Sequence, residues 1–181
     1  MREILFAVCL GGRAPKCNTE LHDVVFVIGE SIEATYDQLL EKWFGTPAGL
    51  HLDSWMALQL IDGYRITVST EAQQGPERLF FVNLGAYAAG QFAELHANLF
   101  LVAGSAPEAK ARAKAELRAC LPGPLHTDDL HDVDDCLEIG MIDGRHIKLE
   151  KTGEAAVFSP VNGYHVIPED IVGRFMARRG V

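Results

Sequence analysis

LFAVCLGGRAPKCNTELHDVVFVIG, residues 5–29, recurs in altered form as LFFVNLGAYAAGQFAELHANLFLVA, residues 79–103. Laid together at an offset of 74 with no gap, the two stretches share ten of 25 positions: Leu5/Leu79, Phe6/Phe80, Val8/Val82, Leu10/Leu84, Gly11/Gly85, Ala14/Ala88, Glu20/Glu94, Leu21/Leu95, His22/His96 and Phe26/Phe100. Unrelated segments of ordinary composition share roughly one or two. The chain therefore reads as two copies of one unit. Each copy is far longer than a solenoid repeat, so a paired, pseudo-twofold arrangement is expected instead of an open array.

The likeness continues with an offset that grows only at loops. His51 and Asp53 in HLDSW fall against His126 and Asp128 in HTDDL at an offset of 75, and Ile61-Asp62-Gly63 falls against Ile142-Asp143-Gly144 at 81. Residues 3–10 and 78–84 are short apolar runs ending at glycine, and 23–29 and 97–103 are rich in Val, Leu, Phe and Ile; all four are expected strands. A helix is predicted after Ser31, a good N-cap, with Tyr36, Leu39, Leu40, Trp43 and Phe44 on one face and Gly45 as its stop. A second is predicted after Ser105, where Glu108 completes a capping box, and ends before Pro122-Gly123. Its Ala109, Ala113 and Leu117 recur every four residues and make a face of mostly small side chains suited to close packing on a sheet.

Asp62-Gly63 and Asp143-Gly144 each sit between alternating segments. Asp-Gly favours the type I′ turn, whose two central residues need positive φ, so a hairpin is expected at each. Beyond Lys151 the sequence predicts strands at 156–158 and 164–167, then a helix opened by Pro168-Glu169-Asp170. That helix has acids first and Arg174, Arg178 and Arg179 last, as the helix dipole favours. The expected fold is α+β: two β-β-α-β-β units, 1–72 and 73–150, in one compact domain with a mostly antiparallel sheet covered by helices, plus a strand and helix extension over 151–181.

At 181 residues and 48% hydrophobic, the chain is long enough to bury a real core. A formal charge of −9 repels phosphate backbones and anionic lipid, which argues against nucleic acid and membrane surfaces as partners. Cys9, Cys17, Cys120 and Cys136 form no C-x-x-C pair, so zinc-ribbon and thioredoxin readings fail on spacing, and four cysteines in a chain of this size fit reduced, cytoplasmic usage without disulfides. The apolar run 4–12 imitates a signal peptide, but the same pattern recurs mid-chain. No run of 18 apolar residues is present.

LFFVNLGAY (79–87), QFAELH (91–96), HLDSW (51–55) and HTDDLHDVDD (126–135) resemble a bacterial family known as domain of unknown function fifteen-forty-three, whose members carry one or two copies of the domain. The resemblance covers roughly residues 3–150. It implies a duplicated domain and a bacterial source, and it carries no activity, cofactor or site residue to any position.

The most informative polar residues occur in both copies: Glu20, His22, His51 and Asp53, and Glu94, His96, His126 and Asp128. An imidazole converging with two carboxylates binds a divalent metal or forms a base with its orienting acid. The plainer reading is a hydrogen-bonded His–Asp pair that fixes a strand end. The stretch 126–135 adds His131 and Asp132 to a dense set of acids; hard oxygen ligands suit Mg²⁺ or Mn²⁺, although the EF-hand register is missing. Here too a solvated acidic loop is the plainer reading. Leu10-Gly11-Gly12-Arg13 has neither Walker nor Rossmann spacing, and tight strand-exit turns explain its glycines. Cys17, five residues before His22, raises a Cys–His nucleophile, yet its counterpart is Gln91 and no oxyanion element accompanies it.

No recognisable catalytic motif is present. A non-enzymatic binding or interaction protein is expected, with a homodimer as one candidate assembly, an unidentified protein or small molecule as ligand, and no cofactor. The alternative is a small metal-assisted hydrolase built on the second-copy cluster of His96, His126 and Asp128.

Overall fold

The apolar run that opens the repeat is, in the computed structural model, an inner strand of an antiparallel sheet. The structure describes residues 2–180 other than 88, 89, 91, 93, 121–129, 156 and 157, with side chains at all but 119, 120, 130–132 and 134. In chain order the elements are β1 (Ile4–Gly12), β2 (Leu21–Gly29), a 3-10 turn (Glu33–Thr35), α1 (Tyr36–Lys42), β3 (His51–Ala57), β4 (Leu60–Ile61), β5 (Tyr64–Ser69), β6 (Arg78–Tyr87), β7 (Glu94–Ala103), α2 (Ala106–Cys120), β8 (Leu130–Glu138), β9 (Met141–Ile142), β10 (Arg145–Lys151), β11 (Val161–Val166) and α3 (Glu169–Arg179). They fall into two compact units. The first comprises Met1–Gln59, Ile66–Val68 and Val157–Val181, and the second Leu60–Arg65 and Ser69–Ala156.

The first unit holds the sheet β11-β3-β1-β2, antiparallel throughout. One face of β1 presents Phe6, Val8 and Leu10, joined by Val25, Val27 and Leu52; Leu39, Leu40 and Trp43 and α3's Val172 and Phe175 cover it. Strand alternation sends Ala7, Cys9 and Gly11 to the other face. The segment after Lys151, an extension by its sequence, is thus part of this unit: β11 pairs with β3 and α3 joins its core. The strand expected at 156–158 falls mostly outside the described residues, and 158 is not in a strand.

The first helix is shorter than its periodicity implies. It opens through a 3-10 turn, with Ser31 Oγ accepting the Ala34 N–H, and Trp43 already has extended backbone. Helical spacing no longer applies beyond that point, so Phe44, expected on the apolar face, is 58% exposed. Gly45 is needed because a Cβ there would run into the Arg13 carbonyl.

In the second unit, the sheet β7-β6-β8 places Phe80, Val82 and Leu84 against Ala109 and Ala113 of α2, and both alanines are wholly buried. The small-residue face packs as its spacing predicts. The cap forms too: Glu108 N–H reaches Ser105 Oγ, and the Glu108 carboxylate accepts the Gly104 N–H at 3.0 Å, one residue before the box position. Both Asp-Gly pairs turn hairpins with positive φ at each residue: 51° and 76° at Asp62 and Gly63, 48° and 79° at Asp143 and Gly144. These hairpins belong to a sheet of order β4-β5-β10-β9. Asp62 also ties its hairpin to β7 and α2, accepting Val102 N–H at 2.8 Å and the Arg112 guanidinium at 2.8 Å.

β1 and β6 are bulged against their partners at corresponding places. Cys9 pairs with Ser54 and Leu10 with Leu52, leaving Asp53 as the extra residue. Asn83 pairs with Asp135 and Leu84 with Val133, leaving Asp134.

Candidate functional site

Four polar side chains of the first unit meet over Gly11, on the sheet face opposite α1 and α3. His22 on β2 and His51 on β3 lie directly across from Gly11 on its two sides. Trp55 packs on the core side of β3, and unbroken alternation from it would send Asp53 there too. The bulge instead re-aims Asp53 toward the histidines. Glu20 arrives from the loop before β2. His22 Nε2 is 3.2 Å from Asp53 Oδ2 and 4.0 Å from Glu20 Oε2, while His51 Nε2 is 3.4 Å from Asp53 Oδ1 and 3.3 Å from Glu20 Oε1. Each carboxylate thus lays one oxygen against each imidazole.

The floor is glycine for a steric reason. A Cβ on Gly11 would stand 2.5 Å from both Asp53 Oδ2 and His51 Nε2. The Gly11-Gly12 pair, expected to make a strand-exit turn, lies inside β1, and its missing side chains make room for the cluster and for the Trp43 ring. No anion cradle forms there.

His51 is the best-determined member, with only 1% of its surface exposed. Its Nδ1 lies 3.0 Å from the Gly49 carbonyl, an acceptor only, so Nδ1 carries a proton. Its Nε2 faces the two carboxylates. Nε2 and Asp53 Oδ2 are both buried with no hydrogen-bond partner. Among the described residues, no Lys or Arg pairs with Glu20 or Asp53. The two carboxylates are therefore partnered by imidazoles and not by Lys or Arg.

Two further residues bear on it, and sequence reasoning misses both. Tyr164 sits in a second bulge, between Asn162 and His165 of β11, beside Gly163 at φ 146°. Its ring lies against His51 with centroids 4.0 Å apart. The Asn162-Gly163 pair inside a strand is the available signal. Cys9, two residues before Gly11 on the same face, has its thiol pKa pushed up by burial, and then by the charges of Asp53 and Asp23.

The second unit gathers less. His96 stands across from Gly85 as His22 does from Gly11, lies 3.9 Å from Glu94, and has Nδ1 3.2 Å from Asn83 Oδ1. His126 and Asp128 lie outside the described residues, as do the side chains of His131 and Asp132. The strand registers give other counterparts than the sequence match does. Leu52 and Val133 occupy equivalent positions against Leu10 and Leu84, a difference of 81, the offset already seen at Ile61 and Ile142. The bulge residue matching Asp53 is then Asp134, while beside Gly85 the register shifts again, between Leu84 and Ala86. Backbone pairing thus gives Asp53 a different counterpart from the His-x-Asp match at 75.

Cys9, Cys17 and Cys136 are free thiols. Ala14 N–H donates to Cys17 Sγ at 3.4 Å, which ties that thiol to its own loop. A cavity of about 390 Å³ in the second unit is lined by Glu77, Arg78, Glu138, Met141 and His146 among others. Among the described residues, no three or more His, Cys, Asp or Glu side chains are already drawn up around a common point as metal ligands, and no helix is long and apolar enough to cross a membrane.

Residues 17–68, which contain all four residues of the first-unit cluster, match the family model described as Domain of Unknown Function (DUF1543). The chain is similar to a solved structure, a protein Il1583 from Idiomarina loihiensis, at 38% identity and a TM-score of 0.73, over 92% of this chain and 99% of that one. No curated protein matches the chain.

Proposed function

From the premise that this chain belongs to the family described as Domain of Unknown Function (DUF1543), which brings no activity with it, we propose that it is a non-enzymatic binding protein whose first unit receives a cationic group. One observation carries the reading: the buried His51 Nε2 lies 3.3 and 3.4 Å from two carboxylates without a hydrogen-bond partner, and no Lys or Arg among the described residues pairs with either carboxylate. Buried polar atoms left in this way are costly, at roughly 1–3 kcal/mol each. A cation placed among them relieves that cost. Nothing in the cluster resembles a nucleophile with its activating base, and the hydrolase alternative depends on His126 and Asp128, which lie outside the described residues. The two units are further taken as copies of one ancestral unit, supported by the equivalent registers at Gly11/His22 and Gly85/His96 and by the matching bulges.

The test is thermal unfolding of the wild-type protein and a Glu20→Gln, Asp53→Asn double variant with zinc, cobalt and magnesium chlorides, methylammonium and spermidine. At least one cation should raise the Tm of the wild type and leave that of the variant unmoved. Equal responses in both proteins, or none in either, would overturn the reading.

A further inference from the structure

The geometry points to a divalent transition-metal site formed by His22, His51, Asp53 and Glu20, an inference that rests on the cation-receptor reading above. Its starting point is distance. Ligands held about 2.0–2.2 Å from a tetrahedral metal stand about 3.3–3.6 Å from one another. Two of the four imidazole–carboxylate separations in the cluster, 3.3 and 3.4 Å, fall in that range, a third at 3.2 Å lies just below it, and the fourth is 4.0 Å.

The second support is the state of His51. A metal-binding imidazole characteristically donates its other N–H to a carbonyl or carboxylate, which fixes the tautomer and aims the ring. His51 does this through Nδ1 to Gly49, and Tyr164 braces the ring from one side. The unpartnered Nε2 then points into the cluster from a wholly buried ring.

Gly11 is the third. The only side-chain-free residue of β1 on this face lies under the point where the donors converge, and any Cβ there would collide with two of them.

The present side-chain positions are those of an ion-paired cluster. Each carboxylate bridges the two histidines with different oxygens, so no single point is equidistant from all four groups. Turning Asp53 and Glu20 about their terminal torsions, which are soft, brings one oxygen of each toward the centre. Glu20 is in a loop and His22 is half exposed, so the site closes from the solvent side onto the strand-borne His51, with Asp53 needing only to turn its carboxylate.

Two imidazoles with two carboxylates form a mixed set. Imidazole selects Zn²⁺, Cu²⁺, Fe²⁺ and Ni²⁺ over Mg²⁺ and Ca²⁺, and tetrahedral spacing selects Zn²⁺ among them. Two carboxylates and two neutral imidazoles carry two negative charges, which a divalent ion neutralises. With four protein ligands the site is closed, as structural zinc sites are, which accords with a non-enzymatic role.

The test uses the whole chain, stripped with chelator and shown to be folded by circular dichroism. Equilibrium dialysis against Zn²⁺ should give one bound ion per chain, and Co²⁺ should give the strong visible bands of a tetrahedral centre. His22→Ala and Glu20→Gln, both solvent-facing changes that leave the core intact, should each weaken Zn²⁺ binding more than about tenfold. No Zn²⁺ uptake by the folded wild type, or uptake unchanged in both variants, overturns the inference. If Zn²⁺ fails while methylammonium or spermidine still stabilises the wild type alone, the metal inference falls and the cation-receptor reading stands. If neither acts, both fall.

Discussion

Gly11 and His51 face each other across β1 and β3 so closely that a Cβ on Gly11 would stand 2.5 Å from the imidazole Nε2. Neither residue is in a backbone conformation that requires glycine, so the constraint is one of space. Gly11→Ala should cost about 1–3 kcal/mol, the range for overpacking a filled site, and should weaken cation binding. Gly173→Ala provides the contrast. That glycine is inside α3 with nothing within 4 Å of an added methyl, and the substitution should stabilise by roughly 0.5–1 kcal/mol. Urea unfolding of the two variants reads both outcomes; a Gly11→Ala protein as stable as wild type would mean that the cluster yields easily.

Tyr164 braces His51 by ring contact, and its hydroxyl makes no hydrogen bond among the described residues. Tyr164→Phe should therefore leave stability and binding unchanged. Tyr164→Ala should lower stability by about 0.5–1.5 kcal/mol, the worth of an aromatic pair, and weaken cation binding several-fold. Chemical denaturation and the dialysis above distinguish them. Equal behaviour of the two variants would assign Tyr164 a different role.

The Cys9 thiol is held above its ordinary pKa first by burial, then by Asp53 and Asp23. A raised thiol pKa means less thiolate at a given pH, so alkylation of Cys9 is slow near neutrality and accelerates only in alkaline solution. Asp53→Asn removes one of the causes that raise the value. The alkylation profile of Cys9, followed by peptide mass spectrometry, should shift toward lower pH in that variant without returning to the ordinary range, because burial remains. No shift would show that Asp53 and Cys9 are electrostatically independent.

Much of the fold is legible in the sequence because its signals are local. The type I′ hairpins at Asp62-Gly63 and Asp143-Gly144 follow from two residues each, and the Ser105/Glu108 cap with its Ala109 and Ala113 face follows from spacing along one helix. What is not legible depends on partners distant in sequence. Phe44 reads as part of an apolar face because nothing in residues 31–45 reveals that the chain leaves the helix at Trp43. The segment after Lys151 reads as an appendage because its pairing with β3 is more than 100 residues away in the chain. The site is half visible. Glu20 and His22 stand out by recurrence and His51 and Asp53 by their His-x-Asp spacing, but their convergence requires a bulge at Asp53, and Tyr164 requires another. Bulges leave little trace in hydrophobic pattern, and the same gap pairs Asp53 with Asp128 where the register places Asp134.

Asp62 carries a second testable consequence. Its carboxylate joins the Val102 amide and Arg112 from within a turn that also needs positive φ at Gly63. Asp62→Ala should destabilise by about 1–2 kcal/mol, a partial sum of one amide hydrogen bond and one half-exposed ion pair. Gly63→Ala should cost roughly 1–2 kcal/mol from the left-handed backbone alone. Hydrogen exchange at the Val102 amide should quicken in the first variant; an unchanged rate would mean that water replaces the carboxylate without loss.

The most direct measurement is a crystal of the zinc-soaked protein with diffraction recorded on both sides of the zinc absorption edge. One anomalous peak per chain is expected within bonding distance of His22 Nε2 and His51 Nε2, with an oxygen each from Asp53 and Glu20 completing a tetrahedron. A peak at the acidic stretch 126–135 instead, or no peak at all with the four side chains still paired to one another, would contradict a metal site in the first unit.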